Sequence, residues 1–205
     1  MWEQYKRIIK PNGAIVLTAS QPFTSALVMS NPKMFKYCWY WEKEKGTGFQ
    51  NSRYMPLRLY EEVLVFYKKK PTYKPPKERL DKPYWRSFTD SNTKSLSNRM
   101  TSREYIGRRV YYEFKTPTNK LKFARDNANK GVHPTQKPVA LFEYLIKTYT
   151  NEGDLVLDNV AGSGTTGVAC QNLNRNFILM EQEPEYVEII KKRIELNKKQ
   201  LEAEL

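Results

Sequence analysis

The sequence predicts an α/β protein, and three observations carry the prediction. Continuous apolar runs, "GAIVLTAS" at 13–20 and "DLVLDNV" at 154–160, have the composition of strands buried on both faces. Segments of helical period stand beside such runs, as where Val139, Phe142, Leu145 and Ile146 fall on one helix face. Finally, "DNVAGSGTTGVAC" at 158–170 joins a strand to a helix through Gly162, Gly164 and Gly167, in a G-x-G-x-x-G pattern.

Taken in order, "WEQYKRII" at 2–9 reads as a short helix, ended by the breaker cluster Lys10-Pro11-Asn12-Gly13. The strand at 13–20 follows. "KYCWYWEK" at 36–43 is aromatic and β-prone, and "EEVLVFYKKK" at 61–70 is a further strand closed by lysines. Residues 71–132 then change character, being rich in Lys, Arg, Pro, Ser, Thr and Asn with poor periodicity. Aromatics persist there, so the stretch reads as a loop-rich inserted binding region rather than a linker. Short strands are expected in it around "GRRVYYEFK" at 107–115. From 133, "HPTQKPVALFEYLIKTYT" gives a turn and a helix opening near Pro138. The strand at 154–160, the glycine loop, a helix to about 173, a strand "FILMEQ" at 177–182 and a last helix after Pro184 complete the chain. The organisation is thus 1–70, an inserted 71–132, and a unit at 133–205.

Charge is uneven along these parts. The chain carries +13 overall, made of +7 in residues 1–70, +9 in 71–130 and −3 in 131–205. The basic surface lies upstream of the glycine loop and favours a polyanionic partner. No apolar run approaches the ~18–20 residues that cross a bilayer, and two distant cysteines, Cys38 and Cys170, suit a reducing cytoplasm. One histidine and two scattered cysteines assemble no zinc-type cluster, so no metal is expected.

Three ligands compete for the glycine loop. A phosphate-gripping P-loop needs a lysine after its glycines, and none is present. A dinucleotide fits the pattern, but a second mononucleotide-binding half has no room after residue 182. S-adenosylmethionine needs a glycine turn and a carboxylate for its ribose hydroxyls, and Glu181 stands 19 residues after Gly162 to serve as that carboxylate.

At this point the residues carry a resemblance. "DNVAGSGTTGVAC" resembles the D-P-F-x-G-S-G-T-T loop of the amino-group DNA methyltransferases, which methylate N6 of adenine or N4 of cytosine. "HPTQKP" at 133–138 resembles the motif preceding that loop in the permuted β class, and "FILMEQEPEYVEIIKKRI" the strand and helix that follow it. The resemblance implies a Rossmann-like, circularly permuted sheet binding S-adenosyl-L-methionine, with residues 71–130 as the target-recognition region for double-stranded DNA. It implies that Asp158, Gly162, Ser163, Gly164, Thr165 and Thr166 line the cofactor pocket, that Glu181 binds the ribose, and that Gln136 and Lys137 lie near the methionine end. In the basic insertion, Arg103, Arg108 and Arg109 are the first candidates to neutralise DNA phosphates.

The chain departs from the family in two ways. Asn159 and Val160 stand where the loop usually has Pro and Phe. The catalytic [DNS]-P-P-[YFW] motif is absent, for Pro75-Pro76 is followed by Lys77. In the permuted class that motif lies upstream of the segment matching "MWEQYKRIIKPNG", so the chain is expected to begin just after it, with its central strand missing and no catalytic residue of its own. The expectation is therefore a DNA methyltransferase of the restriction–modification kind, truncated and inactive alone, its sheet gapped or collapsed. A second chain would then supply the missing segment. The alternatives are a non-catalytic DNA- or cofactor-binding remnant, one half of a split enzyme, and, more weakly, an NAD-dependent oxidoreductase.

Overall fold

The computed structural model describes residues 1–88, 108–124 and 136–203. Its elements in chain order are α1 (Trp2–Ile8), β1 (Ile15–Ala19), α2 (Phe23–Ser30), β2 (Phe35–Thr47), β3 (Arg58–Phe66), β4 (Arg79–Phe88), β5 (Arg108–Phe114), β6 (Lys120–Lys122), α3 (Val139–Tyr149), β7 (Leu155–Asp158), α4 (Thr165–Asn172), β8 (Asn176–Leu179) and α5 (Pro184–Ala203). They form two compact units, one of Met1–Pro76 with Thr118–Leu205 and one of Lys77–Pro117.

In the larger unit a four-stranded sheet runs in the order β1-β3-β2-β6. β3 is antiparallel to both β1 and β2, and β6 adds to β2 in parallel. β3 explains the layering. Its Val63, Leu64, Val65 and Phe66 are all buried, and alternate residues point to opposite faces. Val63 and Val65 pack with Trp39, Trp41 and the α3 residues Leu141, Leu145 and Tyr149. Leu64 and Phe66 pack with Ile15, Met34 and Leu27 of α2, with Trp2 and Tyr5 of α1 beside them. The sheet thus lies between α1 and α2 on one side and α3 on the other. Tyr149 fixes the α3 side in register, its hydroxyl accepting from Trp39 Nε1 at 2.7 Å and lying 2.8 Å from the Tyr37 hydroxyl.

β7 and β8 pair in parallel, from Leu155↔Asn176 to Asp158↔Leu179, with α4 between them in sequence. Ala169 and Cys170 of α4, with Leu173 just past its end, form a further core with Ile146 of α3, against Val156 and Phe177. Among the described residues no strand pairs β1 with β7, so the strands of this unit stand as two sheets. α1 and the turn after it flank both ends of β7: Tyr5 donates to Asn159 Oδ1 at 2.8 Å, and Lys10 Nζ, beyond the helix, lies 3.2 Å from Asp154.

The smaller unit is the antiparallel ribbon of β4 and β5, registered from Arg79↔Phe114 to Phe88↔Arg108. It lies inside the stretch that the sequence marks as an insertion. Ion pairs of Arg79 with Glu113 (2.7 Å) and of Lys115 with Glu78 (2.5 Å) join its strands near the base.

Candidate functional site

The site is built where β7 ends. Asp158 closes the strand and caps the loop after it: Oδ1 accepts from the Val160 amide at 3.1 Å, and Oδ2 accepts from the buried Thr166 hydroxyl. The loop then turns through Gly162 at φ 53° and Gly164 at φ 81°. Both values lie in the left-handed region, where a side chain is strained. Gly164 caps α4, and a Cβ there would meet Ile190 of α5 at 3.1 Å. Gly167 serves differently. A Cβ on it would come within 2.6 Å of Ile194 and 2.7 Å of Leu179, so the third glycine allows α4 to seat against α5 and β8.

Glu181, just beyond β8, reaches back across this turn. One carboxylate oxygen accepts from the Gly162 amide at 2.8 Å, and the other from the amides of Gln182 (2.8 Å) and Glu183 (3.2 Å). Three backbone donors therefore orient an acceptor-only group beside bare glycine backbone.

The segment before α3 lies along the same loop. Ser163 Oγ donates to Gln136 Oε1 at 3.1 Å, and Thr165 Oγ1 to the Lys137 carbonyl at 3.4 Å. Lys137 carries its ammonium to Glu61 of β3, at 3.0 Å. Glu61 also pairs with Lys43 at 3.1 Å, whose side chain is 3% exposed. Burial alone would raise the Glu61 carboxyl, but the hydrogen bonds and charges of Lys137 and Lys43 outweigh it and hold the group below the usual carboxylate range. From α5, Arg193 Nη1 donates to the Ser163 carbonyl (2.6 Å) and hydroxyl (2.8 Å).

The structure thus links Asp158, Gly162, Ser163, Gly164, Thr165, Thr166, Glu181, Gln136 and Lys137 into one neighbourhood. Sequence reasoning missed Glu61, Lys43 and Arg193. Only Glu61 leaves a trace, as a charge entering the apolar run of β3; the other two read as ordinary surface cations. Arg103 lies outside the described residues. Arg108 and Arg109 are placed by backbone alone in β5, opposite Phe88 and Ser87. Val160, where the family has Phe, is 77% exposed, and Asn159 in place of Pro receives the Tyr5 hydroxyl.

Chemically the neighbourhood binds rather than attacks. It offers amide donors, fixed carboxylates and close backbone approach. Its thiol, Cys170, is fully buried in α4, and burial pushes it up to about 12, which leaves no thiolate to act as nucleophile. Among the described residues, no helix is long and apolar enough to cross a membrane.

Comparison with known proteins shows the family of the chain. Residues 1–192 match the model of the N6/N4 DNA methylases. The chain is 31% identical over 199 residues to the type II methyltransferase M.HpaI of Haemophilus parainfluenzae, an alignment spanning 94% of this chain and 57% of that one. It is 52% identical over 65 residues to the type II methyltransferase M2.DpnII of Streptococcus pneumoniae, covering 32% of this chain and 24% of that one. The chain therefore spans only part of the length of these curated relatives. Among solved structures, the complex of M1.HpyAVI with S-adenosylmethionine superposes with a TM-score of 0.63 at 30% identity, over 93% of this chain and 78% of that one. The cytosine-N4-specific PvuII methyltransferase shares the fold, with a TM-score of 0.58 at 21% identity, over 90% and 64%.

Proposed function

The chain belongs to the N6/N4 DNA methylase family, and from that membership we propose that it forms the S-adenosylmethionine-binding part of an enzyme that methylates the exocyclic amine of adenine or cytosine in double-stranded DNA. The observation that carries this reading is the Gly162–Glu181 hydrogen bond, which sets a fixed carboxylate against a left-handed glycine turn. The residues fit the cofactor: a ribose offers hydroxyl donors to a carboxylate that can only accept, and the glycines let its body approach the backbone. When bound, S-adenosylmethionine supplies an activated methyl group. Asp158 and Thr166 hold the floor of the loop, Gln136 and Arg193 hold Ser163, and the ion pair with Glu61 holds Lys137 in place at the methionine end.

Transfer also needs groups that grip the extruded base and its amine. No [DNS]-P-P-[YFW] motif occurs in these 205 residues, and β1 and β7 each lack a second partner among the described residues. Both facts favour a division of labour, in which a strand carrying that motif comes from outside these residues, on a further segment or a second chain, and lodges between β1 and β7.

Calorimetric titration tests the cofactor. S-adenosylmethionine should bind and NAD should not, and Glu181→Ala should weaken binding by about 10- to 100-fold, as for hydrogen bonds to a charged group. Equal binding of NAD, or no effect of Glu181→Ala, would contradict the reading. Methyl transfer to DNA is expected only when a polypeptide bearing the missing motif is added; full activity without it would refute the division of labour.

A further inference from the structure

The smaller unit carries a surface that the glycine loop does not use. In the β4–β5 ladder Trp85 opposes Tyr111, and the neighbouring Tyr84 opposes Tyr112. Adjacent pairs stand on opposite faces of a ribbon. The Tyr84 and Tyr112 rings lie nearly parallel, with centroids 5.4 Å apart at 13°, so they are stacked on one another, though Tyr84 is still 49% exposed. The Trp85 and Tyr111 rings are 5.1 Å apart but inclined at 44°, an arrangement that does not stack face on face. Trp85 is 64% exposed and Tyr111 50%. Two large aromatic rings side by side in water form a contiguous apolar patch, the kind of surface that marks an interaction site.

The surroundings indicate the partner. Residues 77–117 hold ten Lys and Arg against five Asp and Glu, and Lys82 and Arg86 are exposed in the same strand as Trp85. A positive ribbon bearing open aromatic faces suits a polyanion whose units have π faces of their own, namely a nucleic-acid strand. In an intact duplex a base shows the groove only its edge. Its face becomes available once it has left the stack, the state that base-modifying enzymes impose. We propose that Trp85, with Tyr111, is a stacking platform for an unpaired nucleobase of the DNA substrate. The proposal rests on the methyltransferase reading for the source of that base, and on the ribbon alone for the stacking surface.

Fluorescence anisotropy tests it, using the whole chain and two labelled duplexes that differ by one unpaired base. The unmodified chain should prefer the duplex with the unpaired base by about 10-fold, the scale of one base–aromatic stack. Trp85→Ala should abolish that preference, and Trp85→Phe should retain most of it. The dependence of binding on salt should be the same in all three, because every phosphate-neutralising cation is kept. Trp85 is exposed, so neither substitution opens a core. A preference that survives Trp85→Ala, an equal loss on both duplexes, or a changed salt slope would overturn the platform. A chain that binds S-adenosylmethionine but shows no preference loses the platform alone; one that binds neither cofactor nor DNA loses the methyltransferase reading with it.

Discussion

Gly167 separates two demands that one motif spelling conceals. Gly162 and Gly164 answer to backbone conformation, and Gly167 to the room taken by Ile194 and Leu179. Gly167→Ala sets the clash with the Ile194 and Leu179 methyl ends against the ~1 kcal/mol that alanine gains over glycine inside a helix, and a net loss is expected, read as a lower urea midpoint with an unchanged slope. Glu61 gives a second expectation at this scale. Its carboxyl is held below its unfolded value, so the stabilisation is present above that value, near pH 4, and is lost as pH falls through the lower folded one. Glu61→Gln should flatten the acid limb of the stability–pH curve, and an unaltered limb would mean the two lysines are solvated instead. The glycines, Asp158 and Glu181 were legible in sequence because spacing along one βαβ unit specifies them. Glu61, Lys43 and Arg193 were not, since each meets its partner across a long sequence separation that no local pattern records.

At the level of elements, the helices and strands with one strongly buried face were legible, and the exceptions share a cause. α2, "FTSALVMS", buries only Thr24 and Leu27, and its mixed small residues hide the helical period. β4 has exposed residues on both faces and contains Pro83, so no alternation marks it as a strand. β6 is three residues long and is defined by its pairing with Tyr40–Glu42 of β2. The separation of the β7–β8 pair from the four-stranded sheet follows from the sequence only once the missing motif is noticed. The ties of Tyr5 to Asn159 and Lys10 to Asp154 then acquire a role, as α1 and the turn that joins it to β1 set where β7 stands relative to β1. An incoming strand would find both edges already placed.

Across the whole molecule, charge divides the labour. The last 75 residues, which hold the glycine loop, are net negative, and the basic excess lies before them. DNA binding should therefore weaken steeply with salt, and replacing Arg103, Arg108 and Arg109 together by alanine should reduce the slope of log K against log salt by up to about 3, near one for each phosphate left unneutralised. An unchanged slope would remove these arginines from the interface. α3 has a different importance at this scale. Leu141, Leu145 and Tyr149 belong to the core of the four-stranded sheet, and Ile146 to the core beneath β7 and β8. Two sheets without a shared hydrogen-bond ladder are thus bridged by one eleven-residue helix, and they are expected to open together. In native-state hydrogen exchange, Ile146→Ala should lower protection in Val63–Phe66 as well as in β7 and β8. A loss confined to β7 and β8 would mean that the cofactor half can melt while the rest of the fold stands, exposing the Cys170 thiol to alkylation from a molecule still largely native.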